Sequence, residues 1–233
     1  MLVCFWSPKG GSGTSVIAAA AALVLAREMP VRLVDLGGDQ PAVLGLPDDP
    51  ERGVRDWLRA GVEAPVDALD LFTLDAGRGV TLLPAGRADT ATAPPEAGAA
   101  LAVALRATRG PVVVDAGVLT AGADRAAHAL VEVADLHVVV VRGCYLALRR
   151  AVHVDLSGRA SGAVLLEEPG RSLGARDVEN VLGVPVLATV GVRSATARTV
   201  DAGVLASRLP DALARPVRVA LERLGCFDRE EAA

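Results

Sequence analysis

The residues best placed to do chemistry lie in one short stretch, SPKGGSGTSV, residues 7–16. Gly10, Gly11 and Gly13 free the backbone to curl and turn its N–H groups inward. The run that follows, VIAAAAALVLA over residues 16–26, reads as a helix whose positive end faces the same turn. A strand-like LVCFW precedes it. Strand, glycine turn and helix together make an anion cradle, and phosphate is the anion that suits it. Ser12, Thr14 and Ser15 add hydroxyls. Lys9 is the only lysine in the chain; the rest of the 24 basic residues are arginine. A dinucleotide fingerprint, G-x-G-x-x-G, would need glycine at Val16, and the ordinary Walker A pattern, G-x-x-x-x-G-K-[ST], fails at Pro8 and Thr14. A plain glycine turn with a solvated lysine is the alternative; location, helix and sole lysine favour the cradle.

Two carboxylates stand where they can serve it. Asp35 ends the apolar run VRLVDL and Asp115 ends PVVVDAG. Acids at strand ends beside a phosphate loop suit magnesium handling better than acid–base chemistry. No Ser/His/Asp arrangement is legible, since Ser7, Ser12 and Ser15 all belong to the loop. His137 falls inside an apolar strand and reads as a core histidine. His128 and His153 fall on helices without a second ligand at metal spacing. Cys4, Cys144 and Cys226 are far apart and show neither metal nor redox spacing. Cys4 reads as core, and the set suits a reducing cytoplasm.

The elements that must hold these residues alternate regularly. LVCFW, VRLVDL, GVTLLPA, PVVVDAG, LHVVVVR, GAVLLEE and PVLATV are short, Val/Leu-rich runs of the kind that form strands covered on both faces. Helical patterns lie between them over residues 14–28, 51–61, 96–108, 122–134, 145–155, 175–182 and 195–203, with a last helix at about 209–225. Residues 85–100 read as a surface loop entering a helix. Such alternation implies right-handed crossovers and a mostly parallel, doubly wound α/β sheet with helices on both faces. Ligands in such sheets sit at the carboxyl ends of the strands.

Composition narrows the function classes. A hydrophobic share of 52% with 22% charged residues marks a globular chain. The mean hydropathy of +0.39 is high, yet the longest apolar run is too short to cross a bilayer. The chain enters a strand almost at once, so no leader peptide is expected. A net charge of −4 and a pI near 5.4 argue against a broad basic surface for nucleic acid. Arg149 and Arg150, with Arg142 and Arg159, form a modest basic cluster that reads as a solvated helix face. The C-terminal helix is amphipathic, but it contains Pro216 and precedes acidic residues at 228–231 that would repel anionic lipid. Packing on the sheet or on a partner is expected of it.

KGGSGTS resembles the deviant phosphate loop of the ParA/MinD family of P-loop NTPases, K-G-G-x-G-K-[ST], at every position except that of Thr14. The resemblance covers most of the chain. It places Gly10, Gly11, Ser12, Gly13 and Thr14 on phosphate, and Ser15 on the magnesium-binding hydroxyl. It places Lys9 on the signature lysine, which reaches across a dimer to the partner's phosphates. PVRLVDLGGDQPAVLGL resembles the second strand and switch I, of the form V-D-x-D. Asp35 matches the first aspartate; the water-positioning second falls on Gly37, and Asp39 substitutes for it only in a bulged loop. GPVVVDAG resembles Walker B, in which Asp115 would hold magnesium through water. ARDVENVLGVPVLATVGVRSATARTVDAG is most similar to the pilus-assembly, secretion-linked TadZ/CpaE branch. The asparagine that often reads adenine is missing, and Glu167 and Glu168 stand near its place.

The resemblance implies a P-loop domain spanning residues 1–233 that binds ATP and Mg between the subunits of a homodimer. It implies a cytoplasmic switch that positions, partitions or assembles a cellular machine through a protein partner. The departures qualify the chemistry. One lost charge-assisted hydrogen bond is worth roughly 1.5–3 kcal/mol, about ten- to a hundred-fold in affinity. Hydrolysis also needs an oriented water, so a slow ATPase at best is expected, with Lys9 and Asp39 as its catalytic residues. A nucleotide-independent scaffold is the main rival. A small-molecule kinase or ligase is another, but it would need substrate residues at the strand ends, and none are legible.

Overall fold

The computed structural model describes residues 1–122 and 124–227. The seven apolar runs form strands β1 (Leu2–Ser7), β2 (Val31–Asp35), β4 (Val80–Leu83), β5 (Val112–Val118), β6 (Leu136–Arg142), β7 (Gly162–Glu167) and β8 (Val186–Gly191). A two-residue strand, β3 (Leu74–Asp75), pairs antiparallel with β4 at the edge. The sheet order is β3-β4-β2-β5-β1-β6-β7-β8, and every pairing except β3–β4 is parallel. The chain winds from β1 toward β2 on one side and through β6 to β8 on the other. The order therefore reverses around β1, and the crevice beyond the carboxyl ends of β1 and β5 is where such a sheet takes its ligand.

Helices cover both faces, because both faces of the strands are apolar. One face carries α1 (Thr14–Leu25), α2 (Gln40–Leu44), α8 (Ser194–Asp201) and α9 (Asp211–Arg223). The other carries α3 (Val54–Ala60), α4 (Pro95–Arg106), α5 (Arg125–Glu132), α6 (Tyr145–Ala151) and α7 (Ala175–Leu182). Ala18 through Ala22 are completely buried in α1. Their short side chains let the helix lie against β1, β5 and α9 at once without losing helix propensity. The helix α9 buries Leu213, Val217 and Leu221 against that face. It packs on the sheet as expected; the acidic residues 228–231 lie outside the described residues. Among the described residues no helix is long and apolar enough to cross a membrane.

Several details differ from the sequence reading. The short helix α2 and the 3-10 turns Val66–Phe72 and Ser157–Arg159 were not expected from periodicity, being too short to show it. The helix expected over 122–134 starts at Arg125, and residue 123 lies outside the described residues. The segment 85–100 is less superficial than its composition suggests: Ala88, Thr90 and Ala93 are buried. His137 is a core histidine, whose Nδ1 accepts a hydrogen bond from Trp6 Nε1 at 3.3 Å. Burial lowers its pKa, and burial raises that of the Cys4 thiol.

Candidate functional site

The loop after β1 is shaped by its backbone. Gly11 and Gly13 have φ of 73° and 78°, the left-handed region that glycine enters without strain. Gly13 is also tightly enclosed: a Cβ there would lie 2.6 Å from Leu166 Cδ2. It is the N-cap of α1, and no side chain caps that helix end. The first-turn N–H groups thus lack intrahelical partners and face the crevice. Ser12 Oγ and Ser7 Oγ both donate to the Lys9 carbonyl, at 2.6 and 3.1 Å, and tie the turn closed. The Lys9 ammonium donates to the Gly10 carbonyl at 3.0 Å. It folds back on its own loop and is not part of the cavity wall.

The carboxylates come from adjacent strands. Asp35 and Asp115 are register partners on β2 and β5, and both are completely buried. Asp35 accepts from the Gly38 and Gln40 amides at 2.6 and 3.0 Å. Asp115 accepts from the Gly117 amide at 3.0 Å and from Gln40 Nε2 at 2.8 Å. Burial, reinforced by Asp115, pushes Asp35 up to about 7 against those two amide bonds. Burial likewise raises Asp115, against hydrogen bonds from Gln40, Ser15 and Gly117. Without a cation, one of two such neighbours holds a proton near neutral pH.

Two residues that sequence reasoning passed over organise this cluster. Gln40 is completely buried and also donates to the Ser15 carbonyl at 2.9 Å. It joins the end of β5, the glycine loop and its own loop after β2 through one amide, and its Oε1 has no hydrogen-bond partner. Arg55, in the first turn of α3, donates from Nη2 to the carbonyls of Leu36 and Gly37 at 2.7 and 3.2 Å. A glutamine between an acid and the apolar PAVLGL was the available signal for the first. A G-x-x-D helix start at Gly53–Asp56 was the signal for the second.

In the loop after β2, Gly38 adopts φ 97°. Asp39 Oδ2 lies 3.5 Å from Ser15 Oγ. A Cβ at Gly37 would lie 3.3 Å from Asp115 Oδ2, so this position covers the carboxylate. The cavity above has a volume of about 970 Å3 and is lined by the glycine loop, Thr14, Ser15, Gly37, Asp39, Arg55, Gly117, Asp124 and the end of α8. At its far wall the C-cap of α2 meets the end of α8, where a Cβ on Gly45 would lie 1.7 Å from the Gly203 carbonyl oxygen.

No group of three or more His, Cys, Asp or Glu side chains among the described residues is arranged to hold a metal. The donors that do converge, the Ser15 hydroxyl and the Asp39 and Asp115 carboxylates, are hard oxygens. Together with room for water they fit Mg better than a softer metal. Glu168 is not free to read a base: it pairs with Arg142 at 2.9 Å and with Arg171 at 3.1 Å, away from the cavity. Arg159 pairs with Glu132 at 2.9 Å. The expected cluster of Arg142, Arg149, Arg150 and Arg159 is therefore partly neutralised by local ion pairs.

No family model matches the chain, and no curated protein matches it. Solved structures do. The chain aligns over 98% of its length with 98% of the septum site-determining protein MinD of Pyrococcus horikoshii OT3, complexed with Mg-ADP, at 20% identity and a TM-score of 0.76. It aligns over 97% of its length with 98% of the Pyrococcus furiosus cell division ATPase MinD, at 22% identity and a TM-score of 0.76. It aligns over 94% with 97% of a ParA family ATPase from Chlorobium tepidum TLS, at 20% identity and a TM-score of 0.74. Structural neighbours of this chain are thus ParA/MinD family ATPases, and it has their α/β P-loop NTPase fold.

Proposed function

We propose that the chain is a nucleotide-binding dimerisation switch, probing ATP with Mg and hydrolysing it slowly or not at all, that positions or assembles a cellular machine in the cytoplasm. One observation carries this reading: an uncapped helix end and a glycine turn open onto a cavity, and two paired carboxylates lie buried behind its Gly37 wall. Gly10, Gly11, Ser12, Gly13 and Thr14 would hold the phosphates. Ser15 and Asp115, with Asp35 behind them, would hold Mg, which neutralises phosphate charge when bound. Lys9 is turned away from its own cavity, which suits a role across a dimer interface. Gly37 carries no carboxylate to orient water, and Asp39 is engaged near Ser15. The chain would act as one domain, and a protein partner of the TadZ/CpaE kind would read its dimeric state.

Calorimetry of Mg-ATP at low and high protein concentration tests this. Affinity should rise with protein concentration, and Lys9→Ala should abolish the rise. Thr14→Lys should tighten binding about ten- to a hundred-fold by restoring one charge-assisted contact. Turnover comparable to that of an intact ATPase would sink the slow-hydrolysis part.

A second reading has its own support. Gln40 Nε2 already satisfies Asp115 Oδ2 and the Ser15 carbonyl without any ligand. A site so completed internally suits a nucleotide-independent scaffold. A melting temperature unmoved by Mg-ATP, with binding gained only in Thr14→Lys, would favour it.

A further inference from the structure

We propose that Arg55 is the cation that meets the terminal phosphate of the bound nucleoside triphosphate, replacing from α3 the charge that Thr14 does not provide. The inference rests on the nucleotide-binding reading above and assigns that site a residue with no counterpart in the glycine loop.

The charge inventory of the cavity is the first argument. Its wall includes the acids Asp39, Asp124 and Asp201, and Arg55 is the only lysine or arginine among its described lining residues. Lys9 does not line the cavity of its own chain. A triphosphate entering here meets acidic side chains and the positive end of α1. Arg55 is the one side chain that offsets them.

Position is the second argument. The guanidinium lies on the Leu36 and Gly37 carbonyls, and Gly37 covers Asp115. Arg55 therefore borders the cavity on the side of Gly37 and Asp115, where the Mg of the nucleotide reading, and with it the terminal phosphate, would sit.

The Arg55 backbone is fixed. Val54 and Arg55 donate their amides to the Pro84 and Ala85 carbonyls at 2.8 and 3.0 Å. Gly53 donates to Asp56 Oδ2 at 3.0 Å, and Val54, Trp57 and Leu58 are buried in the core. The side chain, by contrast, is hydrogen-bonded only to two neutral carbonyls through one nitrogen, with an electrostatic attraction to Asp35 besides; no hydrogen bond is formed by Nη1 or Nε among the described residues. A phosphate oxygen is a stronger acceptor for guanidinium than a peptide carbonyl. Transfer of Arg55 to phosphate frees those carbonyls, so occupancy of the site is passed directly to switch I.

The experiment is calorimetry of Mg-ATP and Mg-ADP with the full chain, comparing wild type, Arg55→Gln, Arg55→Lys and Arg55→Gln/Thr14→Lys. Arg55→Gln should weaken Mg-ATP about ten- to a hundred-fold and leave Mg-ADP close to wild type. Arg55→Lys should keep the preference for ATP, and Thr14→Lys should restore Mg-ATP binding to Arg55→Gln. If Arg55→Gln does not fold, the Arg55→Lys comparison decides: loss of its ATP preference overturns the proposal. Equal weakening of both nucleotides, the mark of a residue that merely clamps switch I, also overturns it, as does no change; the nucleotide site itself then stands. If wild type binds neither nucleotide, the site reading and this proposal fall together.

Discussion

The loop after β1 and the loop after β2 face each other across Asp115, and they are built on opposite plans. The first is made of backbone. Its curvature comes from glycines at positive φ, its closure from two serines on one carbonyl, and its support from a helix of buried alanines. The second is made of side chains: Asp39 reaches Ser15, Gln40 bridges Asp115, and Arg55 lies over the turn. The first plan, on the reading proposed above, would fix where an anion can sit, and it would do so with peptide N–H groups whatever side chain stands at Thr14. The second fixes which charges meet that anion, and each substitution changes it.

The contrast can be broken at several points. The largest effect is expected at Gly45, on the second loop's far end. With φ at 80° and a Cβ that would lie 1.7 Å from a backbone oxygen, Gly45→Ala has no flexible neighbour to push aside. Urea unfolding should show a loss on the order of 3–5 kcal/mol; a loss under about 1 kcal/mol would mean that α2 is not firmly seated.

Next comes the carboxylate pair. Asp35 keeps its proton in the fold up to about 7, whereas the unfolded chain releases it near 3.8. Between those values the folded state binds more protons, so stability falls as pH rises through the window and levels off above it. Metal-free protein should lose on the order of 3–4 kcal/mol from pH 4 to pH 8 at roughly 1.4 kcal/mol per pKa unit. A gain in stability over that range would show that the acids are ionised and stabilised in the fold.

Gly37→Asp sharpens the same point, because it sets a third carboxylate beside Asp115. It should cost about 1–2 kcal/mol more at pH 8 than at pH 5. An equal cost at both would mean that the new side chain turns to solvent. The smallest effect belongs to the first loop. Lys9→Ala should change stability by less than about 0.5 kcal/mol, and a larger loss would give its bond to Gly10 a structural role.

This contrast also explains what the sequence disclosed. The strands were legible because continuous Val/Leu runs such as VVVV at 138–141 have few alternatives to a covered sheet. The glycine loop was legible because the chain writes it locally. Gln40 and Arg55 were not, because their partners are distant: Asp115 lies 75 residues from Gln40, and Leu36 lies 19 from Arg55. No periodicity marks such contacts. The place of Asp39 depended on the course of the loop after β2, and that is a property of the Gly37–Gly38 backbone.

The hydrogen bond between Trp6 and His137 lies at the root of the glycine loop, one residue before Ser7. Trp57, the other of the chain's two tryptophans, sits two residues beyond Arg55 with its indole donating to the Pro65 carbonyl at 2.8 Å. The glycine loop and the helix that carries Arg55 thus each come with an intrinsic fluorophore. Replacing either tryptophan by phenylalanine leaves a chain whose emission comes from the other alone, so light can follow the root of the glycine loop and α3 separately without any added dye.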